Sequence, residues 1–252
     1  MQSMIHDGSF EGFLTTVFQV YDLGLKEVEI CSEGKYQQNI FGGRYFVSTE
    51  LLKAERVWKG LQQKISAAAL QQFYKTWLSE IDGIENTMLS YVRHVFSSTV
   101  SVEKDFSHPA ILLITDTAKK VHREKHRMEA FVRFQLTKDQ LYFAIVEPDF
   151  NVLPIIQKHF KSRYADQRWM IYDGRRKYGI YYDLDKVDYI QVNFDEKVNS
   201  GKDIRGQYSE SEVLYQDLWK TYFGSINIAA RKNMKLHIQH MPRRYWKYLT
   251  EK

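Results

Sequence analysis

The spacing of apolar residues changes once along this chain, close to Glu129, from a helical period to a strand period. Before that point, apolar side chains recur three and four residues apart, which places them on one face of a helix. The segments with this spacing are Phe10–Tyr21, Leu51–Ile65, Ala67–Leu78, Ile84–Phe96 and Ala110–Met128. Ser9 precedes the first of them, as a helix-capping residue does. The first half of the chain is therefore predicted to be helical.

Beyond this point, apolar and polar residues alternate, which is the pattern of β-strands with one buried face. One hairpin is predicted over Phe131–Leu136 and Leu141–Val146, and a second over Trp169–Tyr172 and Tyr178–Tyr182. A short helix around Pro154–Phe160 separates the two hairpins. This order predicts an antiparallel sheet unit of the type β-β-α-β-β, with a helix against one face.

Two more elements follow the second hairpin. The segment Val187–Phe194 alternates again and predicts an edge strand, and Ser209 with Glu212 forms a capping-box pattern at the start of a helix. The predicted fold class is α+β: a helical N-terminal half, the antiparallel β-β-α-β-β sheet unit and a C-terminal helix. The chain is either one unit over 1–252 or a helical region, 1–129, followed by an antiparallel sheet with helices, 130–252.

The composition restricts the chemistry that this chain can perform. It has 36 Lys and Arg against 31 Asp and Glu, a net charge of +5 and a pI near 9.0, which favour a polyanionic partner. Cys31 is the only cysteine, so the chain cannot form an internal disulfide or supply the thiolates of an iron–sulfur cluster. No apolar run approaches the roughly 18 residues that span a bilayer. We expect a cytoplasmic protein with no membrane partner and no cofactor.

Two segments combine basic and aromatic side chains as nucleic-acid-binding proteins do: the tip of the second hairpin, at 175–177, and the C-terminal segment 241–248. Arginines there would contact phosphates, and rings would stack on unpaired bases. The residues concerned are Trp169, Arg175, Arg176, Tyr178, Arg243, Arg244 and Trp246. Alternatively, the hairpin tyrosines pack within the sheet and the terminal rings dock onto the core.

The helix over Ala110–Met128 carries a run of basic residues and two histidines four positions apart, His122 and His126. The run, together with Arg127 and Arg133, either contacts phosphates or forms a solvated helix face. Histidines at this spacing can chelate a metal ion. Glu124 does not directly follow the first histidine, as the zinc-protease pattern requires, and no further ligands are identifiable. We therefore predict no metal site.

Glu147 and Asp149 flank a proline at the end of a predicted strand. Two carboxylates so close together could share a proton or hold a magnesium ion in phosphate chemistry. Alternatively, Asp149 caps the next helix while Glu147 pairs with a nearby arginine. No phosphate-binding glycine loop accompanies them, which favours the structural alternative.

Four motifs in a fixed order resemble one bacterial family: Asp7–Phe13, Phe131–Phe134, Glu147–Pro154 and Met241–Trp246. It is a DNA-metabolism or DNA-repair family built on a domain of unknown function. The resemblance extends over nearly the whole chain. It implies a role beside a radical-SAM protein of DNA modification or repair, and related domains occur fused to a uracil-DNA-glycosylase-like domain.

The resemblance also supplies site candidates without assigning them roles. They are His126, Arg127, Arg133, Glu147, Asp149, Asn151, His159, Phe160, Arg163, Asp166, Gln167 and Trp169. A radical-SAM cluster needs several thiolates, so with Cys31 alone any such chemistry must lie in the partner.

Three hypotheses follow from the sequence. The first is an accessory protein that binds DNA, in which Arg163 joins the arginines named above as a phosphate contact. The second is a nucleic-acid-processing enzyme that uses Glu147 and Asp149 with His126 or His159. The third is a protein-interaction module without DNA contact, for which an exposed apolar patch would be typical.

Overall fold

The computed structural model describes residues 2–36, 43–138, 140–191 and 241–249. The chain divides into two units, residues 1–122 and residues 123–252. Helices and two β-sheets are both present, which confirms the α+β class. Within the described ranges, no helix is long and apolar enough to cross a membrane.

The first unit contains a parallel sheet that the sequence pattern did not predict. Its strands are β1 (Gln2–His6), β2 (Val28–Ser32) and β3 (Arg44–Phe46). Their order is β2-β1-β3, and both pairs are parallel. The central strand β1 is buried at four of its five positions, so it lacks the alternation by which a half-buried strand is recognised. The prediction of a purely helical first half is wrong in this respect.

The helices at the predicted apolar segments are confirmed. They are α1 (Phe10–Asp22), α2 (Leu51–Lys64), α3 (Ala67–Trp77), α4 (Ile84–Ser97) and α5 (Pro109–Phe131). Apolar faces of these helices enclose a core in which Phe13, Leu61 and Phe73 are fully buried. The three-and-four spacing thus identifies the side chains that are buried when the protein folds. This is why the spacing predicts the helices.

A compact network of hydrogen bonds fixes the corner between β1 and α1. Asp7 Oδ1 accepts from the backbone N–H and the hydroxyl of Ser9, at 2.9 and 2.6 Å, and Asp7 Oδ2 accepts from the Thr49 hydroxyl at 2.8 Å. Ser9 Oγ in turn accepts from the Gly12 N–H, at 2.9 Å, and caps α1. A Cβ atom on Gly12 would lie 2.3 Å from Asp7 Oδ1, so only glycine leaves room for this carboxylate.

We predict that Gly12→Ala lowers the free energy of unfolding by about 1–3 kcal/mol, because the added methyl group collides with Asp7 and Thr49. In an open helix the same change would instead stabilise by up to about 1 kcal/mol. Urea unfolding followed by circular dichroism measures the difference. Gly34→Ala is the control, since its added Cβ would have nothing within 4 Å. A Gly12→Ala variant as stable as the control would contradict the prediction.

His6 ends β1 inside the first unit, where only 1% of the residue is exposed. Its Nδ1 accepts from the Gly8 N–H at 3.0 Å, and its ring packs against Phe13 and Trp77. Burial lowers the pKa of His6 to about 4, although the neighbouring Asp7 acts in the opposite direction. The imidazole is therefore neutral in the folded protein at neutral pH.

This burial makes stability depend on pH. Below the ordinary pKa of 6.5, the unfolded chain takes up a proton at His6 while the folded chain does so only near pH 4. The contribution of the neutral His6 to the free energy of unfolding is thus fully present above pH 6.5 and is lost as the pH falls toward 4. We predict that His6→Asn, which keeps an acceptor for Gly8, reduces this loss by on the order of 2 kcal/mol. Urea unfolding over a pH series measures the free energy of unfolding at each pH. The control is His122→Asn, which replaces an exposed histidine. If the free energy of unfolding falls equally steeply with pH in His6→Asn and in the wild type, the prediction is wrong.

The second unit contains a mixed sheet with one parallel pair. Its elements are β4 (Gln135–Leu136), β5 (Tyr142–Val146), α6 (Leu153–Arg163), β6 (Trp169–Asp173), β7 (Tyr178–Tyr182) and β8 (Val187–Ile190). The strands lie in the order β4-β5-β6-β7-β8, with β5 and β6 parallel and the other pairs antiparallel. The predicted antiparallel unit is therefore wrong at β5 and β6. The reason is that α6 returns the chain to the edge at which β5 began.

Two other predicted elements differ from the structure. α5 continues to Phe131, so the strand predicted over Phe131–Leu136 is reduced to the two residues of β4. The helix predicted from Ser209 lies outside the described residues. The described C-terminal residues instead contain a 3-10 helix, Arg243–Tyr248. β8 confirms the predicted edge strand.

Trp169 is a core residue of the second unit and is fully buried. Its ring packs against Phe134, Phe160 and Tyr182, at centroid distances of 6.2, 6.1 and 5.5 Å. No face of the indole is exposed to a base. The prediction that Trp169 stacks on a base is therefore wrong, because the ring packs in the core.

Candidate nucleic-acid interface

The parallel strands β5 and β6 end side by side at one edge of the second sheet. Val146 is paired with Asp173, so the loop after β5 and the turn after β6 leave the sheet next to each other. The C-terminal 3-10 helix packs against β5. Ligands of such sheets bind beyond the carboxyl ends of the parallel strands. We refer to Glu124 and residues 147–151, 173–177 and 243–248 as the carboxyl-edge cluster.

Glu124, on α5, connects the parts of this cluster although only 1% of its side chain is exposed. The Tyr245 hydroxyl donates to Glu124 Oε1, and Arg244 Nη2 lies 3.0 Å from Oε2. The backbone N–H of Asp149 donates to Oε1 at 2.9 Å, and Arg127 Nη1 is 3.4 Å from Oε2. Four groups thus compensate a carboxylate whose burial without partners would be very costly.

The environment keeps these partners in the protonation states that the contacts require. Burial, followed by the Glu124 carboxylate, raises the pKa of Tyr245 above its ordinary value of 10, so the hydroxyl remains a donor. Burial lowers the pKa of Arg244, but its contacts with Tyr245, Glu124 and Asp149 outweigh that effect and raise the pKa. Arg244 Nη2 is also 2.7 Å from Asp149 Oδ2. The C-terminal 3-10 helix is therefore bound to α5 and to the loop after β5.

Asp173 and Arg176 form a second buried pair at the turn after β6. The Asp173 carboxylate accepts from the backbone N–H groups of Arg175 and Arg176, at 2.9 and 3.0 Å, and from Arg176 Nη1 at 2.9 Å. Burial raises the pKa of Asp173, and the Arg176 guanidinium opposes that shift. Arg176 also donates to the carbonyl groups of Pro148 and Asp149, at 3.1 Å each. Arg176, predicted as a phosphate contact, instead joins this turn to the loop after β5.

The two carboxylates predicted as a catalytic pair each bind a cation. Glu147 Oε2 accepts from Lys247 Nζ at 2.6 Å, and Asp149 is paired with an arginine. Burial raises the pKa of Glu147, but the hydrogen bonds from Lys247 and Tyr248 and the charges of Lys247 and Lys177 together outweigh burial and keep the pKa below its ordinary value of 4.5. Among the described contacts, none joins these carboxylates to His126 or His159.

Three exposed cations of the cluster, Arg175, Lys177 and Arg243, have no ion pair with any described residue. Arg175 Nη1 is 3.5 Å from the carbonyl oxygen of Asp149, which places it at the loop after β5. The guanidinium of Arg243 lies 5.9 Å from the centre of the Trp246 ring. The cluster thus presents exposed cations without ion pairs, and one of them, Arg243, lies beside the half-buried indole of Trp246.

Tyr178 and Trp246, the other predicted stacking residues, are both half-buried and anchored by their polar atoms. The Tyr178 hydroxyl donates to Asn151 Oδ1, and its ring stacks on Tyr189 with a centroid distance of 6.3 Å. Trp246 Nε1 donates to the carbonyl group of Met241 at 3.0 Å. Each ring therefore has a fixed position and an accessible part, as a stacking platform requires.

The remaining predicted arginines have different surroundings. Arg127 contacts Glu124, as described above. Arg133 Nη1 donates to the carbonyl group of Ala130 at 2.7 Å and caps the C-terminal end of α5. Arg163 is exposed in the last turn of α6, with its guanidinium 5.8 Å from the centre of the Tyr164 ring. Of these three, Arg163 is exposed to solvent, whereas Arg127 and Arg133 are half-buried.

The predicted histidines converge on a different carboxylate, Glu129. His126 Nδ1 lies 3.4 Å from Glu129 Oε2, His159 Nδ1 lies 3.8 Å from Oε1, and Lys125 Nζ is 2.5 Å from Oε1. His122 is exposed on another turn of α5. In the part of the chain that the structure describes, no group of three or more His, Cys, Asp or Glu side chains is arranged so that it could hold a metal ion.

A family model described as a domain of unknown function, DUF4130, matches residues 82–251. The match covers more than half of the 252 residues. The chain belongs to the DUF4130 family. No curated protein matches it. The matched segment contains the whole carboxyl-edge cluster, whereas β1 to β3 and α1 to α3 precede it.

Two central residues of the DUF4130 segment, Glu124 and Tyr245, were not among the predicted site residues. A signal for Glu124 was present, because the buried face of α5 includes Thr117, Val121 and Met128 at spacings of four, three and four. A glutamate on such an apolar stripe predicts a buried carboxylate with partners. Its partners could not be predicted, since Tyr245 is 121 residues away in sequence.

We predict that Tyr245→Phe lowers the free energy of unfolding by about 1–3 kcal/mol, because it leaves the buried Glu124 carboxylate short of one donor. Urea unfolding provides the measurement. The matched control is Tyr142→Phe, since the hydroxyl group of Tyr142 has no hydrogen bond within the described residues. Equal stability of the two variants would show that Glu124 does not depend on the Tyr245 hydroxyl.

Proposed function

We propose that this DUF4130 protein binds DNA through the carboxyl-edge cluster and acts as a cytoplasmic accessory protein in DNA metabolism or repair. The observation that carries the proposal is the exposed positive charge of Arg175, Lys177 and Arg243, none of which has an ion pair with a described residue, together with the position of the Arg243 guanidinium beside Trp246. Cations of this kind exchange solvent ions for phosphates, and an adjacent ring can stack on an unpaired base. The resemblance of the sequence to a DNA-metabolism family favours DNA among the polyanions.

The paired residues of the cluster have a supporting role in this proposal. Arg176, Arg244 and Lys247 already bind carboxylates, so a phosphate would have to compete with Asp173, Glu124 and Glu147 for them. Their contacts hold the hairpin tip and the 3-10 helix against the same loop. The backbone segments that carry the exposed cations are thereby held in place, and less backbone entropy is lost when DNA binds.

A partner enzyme completes the proposal. The resemblance suggests a radical-SAM or glycosylase-type protein, and the single Cys31 cannot provide the thiolates of an iron–sulfur cluster. Redox chemistry on DNA would then belong to the partner, while this protein supplies affinity for the strand. Co-purification from cells that produce both proteins tests the association.

We predict that the triple variant Arg175→Glu, Lys177→Glu and Arg243→Glu weakens DNA binding at least about tenfold at low salt. The slope of log affinity against log salt should become shallower by about 2, because each lost phosphate contact removes somewhat less than one unit. Fluorescence anisotropy with labelled single-stranded and double-stranded DNA over a salt series measures both quantities.

The control is a second triple variant with the same change in net charge, Lys26→Glu, Lys59→Glu and Lys104→Glu. These lysines are exposed and lie outside the second unit. The proposal fails if both variants lose affinity equally, because net charge alone would then explain binding. It also fails if the wild-type protein does not bind DNA at low salt, which would favour the interaction-module hypothesis.

A further inference from the structure

A cleft between α6 and the end of α5, within the second unit, gathers basic side chains outside the carboxyl-edge cluster. The residues that line it are Lys125, Glu129, Ile155, Lys158, His159, Ser162 and Arg163. The α6 residues 155, 158, 159 and 162 are three and four positions apart, and so are the two from α5, so each helix contributes one face. We refer to this concave surface as the α5–α6 cleft.

Glu129 is the only carboxylate among these lining residues, and it is already engaged. Its side chain is 11% exposed, and Lys125 Nζ lies 2.5 Å from Oε1. His159 Nδ1 faces the same oxygen atom at 3.8 Å, and His126 Nδ1 faces the other at 3.4 Å. Glu129 therefore holds Lys125 in place, and the His159 ring lies close to the same carboxylate while it lines the cleft.

The cleft contains more positive charge than its own carboxylate can balance. With Lys125 matched to Glu129, the exposed side chains of Lys158 and Arg163 remain without an ion pair among the described residues. By contrast, Lys186, an exposed lysine elsewhere in the second unit, does have an ion pair, with Asp188 at 2.9 Å. Two cations without ion pairs on the wall of one cleft can together balance the charge of a ligand that carries two negative charges.

We propose that the α5–α6 cleft binds a phosphate monoester, such as the terminal phosphate of a nucleic-acid strand. Lys158 supplies a point charge, and the Arg163 guanidinium provides paired N–H donors suited to phosphate oxygens. The Ser162 hydroxyl and the His159 imidazole, which line the same cleft, complete a set of groups that can hydrogen-bond to a tetrahedral anion. The claim that this phosphate belongs to a nucleic-acid strand rests on the proposed DNA binding. The claim that the cleft binds phosphate does not.

Isothermal titration calorimetry of the full chain with inorganic phosphate tests the site directly. We expect the double variant Lys158→Gln and Arg163→Gln to weaken phosphate binding at least about tenfold, because it removes both unmatched charges. The control is Lys161→Gln with Arg168→Gln, which removes one lysine and one arginine that are exposed but do not line the cleft. Equal phosphate affinity in the two double variants, or no binding by the wild type, would overturn the proposal.

Oligonucleotides with and without a 5′-phosphate identify the source of the ligand. We expect the wild-type protein to prefer the phosphorylated strand about tenfold, and the Lys158→Gln, Arg163→Gln variant to lose this preference while it still binds DNA. Strand binding that ignores the terminal phosphate would refute the strand-end assignment and leave the proposed function intact. Inorganic phosphate binding that depends on Lys158 and Arg163, without any affinity for DNA, would support the cleft and refute the proposed function.

Discussion

The buried carboxylate of Glu124 determines how the segments of the second unit are joined. An ionised group with 1% of its side chain exposed is tolerated only when several donors surround it. Those donors come from α5 itself, from the loop after β5 and from the C-terminal 3-10 helix. These contacts bring segments that are distant in sequence to one edge of the sheet, where the Asp173–Arg176 pair and the Glu147–Lys247 pair add further connections.

The described basic residues of the carboxyl-edge cluster and the α5–α6 cleft include two groups that net charge cannot distinguish. Arg176, Arg244 and Lys247 bind carboxylates and maintain the architecture. Arg175, Lys177 and Arg243 are exposed at the carboxyl edge, and Lys158 and Arg163 at the α5–α6 cleft. An excess of positive charge suggests a polyanionic partner, but the residues without ion pairs can exchange solvent ions for phosphates without first giving up a carboxylate.

The DUF4130 segment and the structural units have different boundaries. The family match begins at residue 82, whereas the first compact unit extends to residue 122 and includes α4. The three-stranded parallel sheet and the Asp7 corner lie before the matched segment. Both proposed binding surfaces lie inside it, so the proposals concern the part of the chain that defines the family.

The sequence by itself determined the mixed fold class, the positions of α1 to α5 and the existence of most strands in the second half, because these follow from local spacing of apolar residues. It did not indicate β1, whose buried side chains do not alternate, nor the parallel pairing of β5 with β6, which depends on the path of the chain through α6. Only the tertiary structure separated paired from unpaired arginines and brought His126 and His159 to Glu129 rather than to Glu147. The physical reason is that burial and ion pairing depend on neighbours in space, such as Tyr245 beside Glu124, and not on neighbours in sequence.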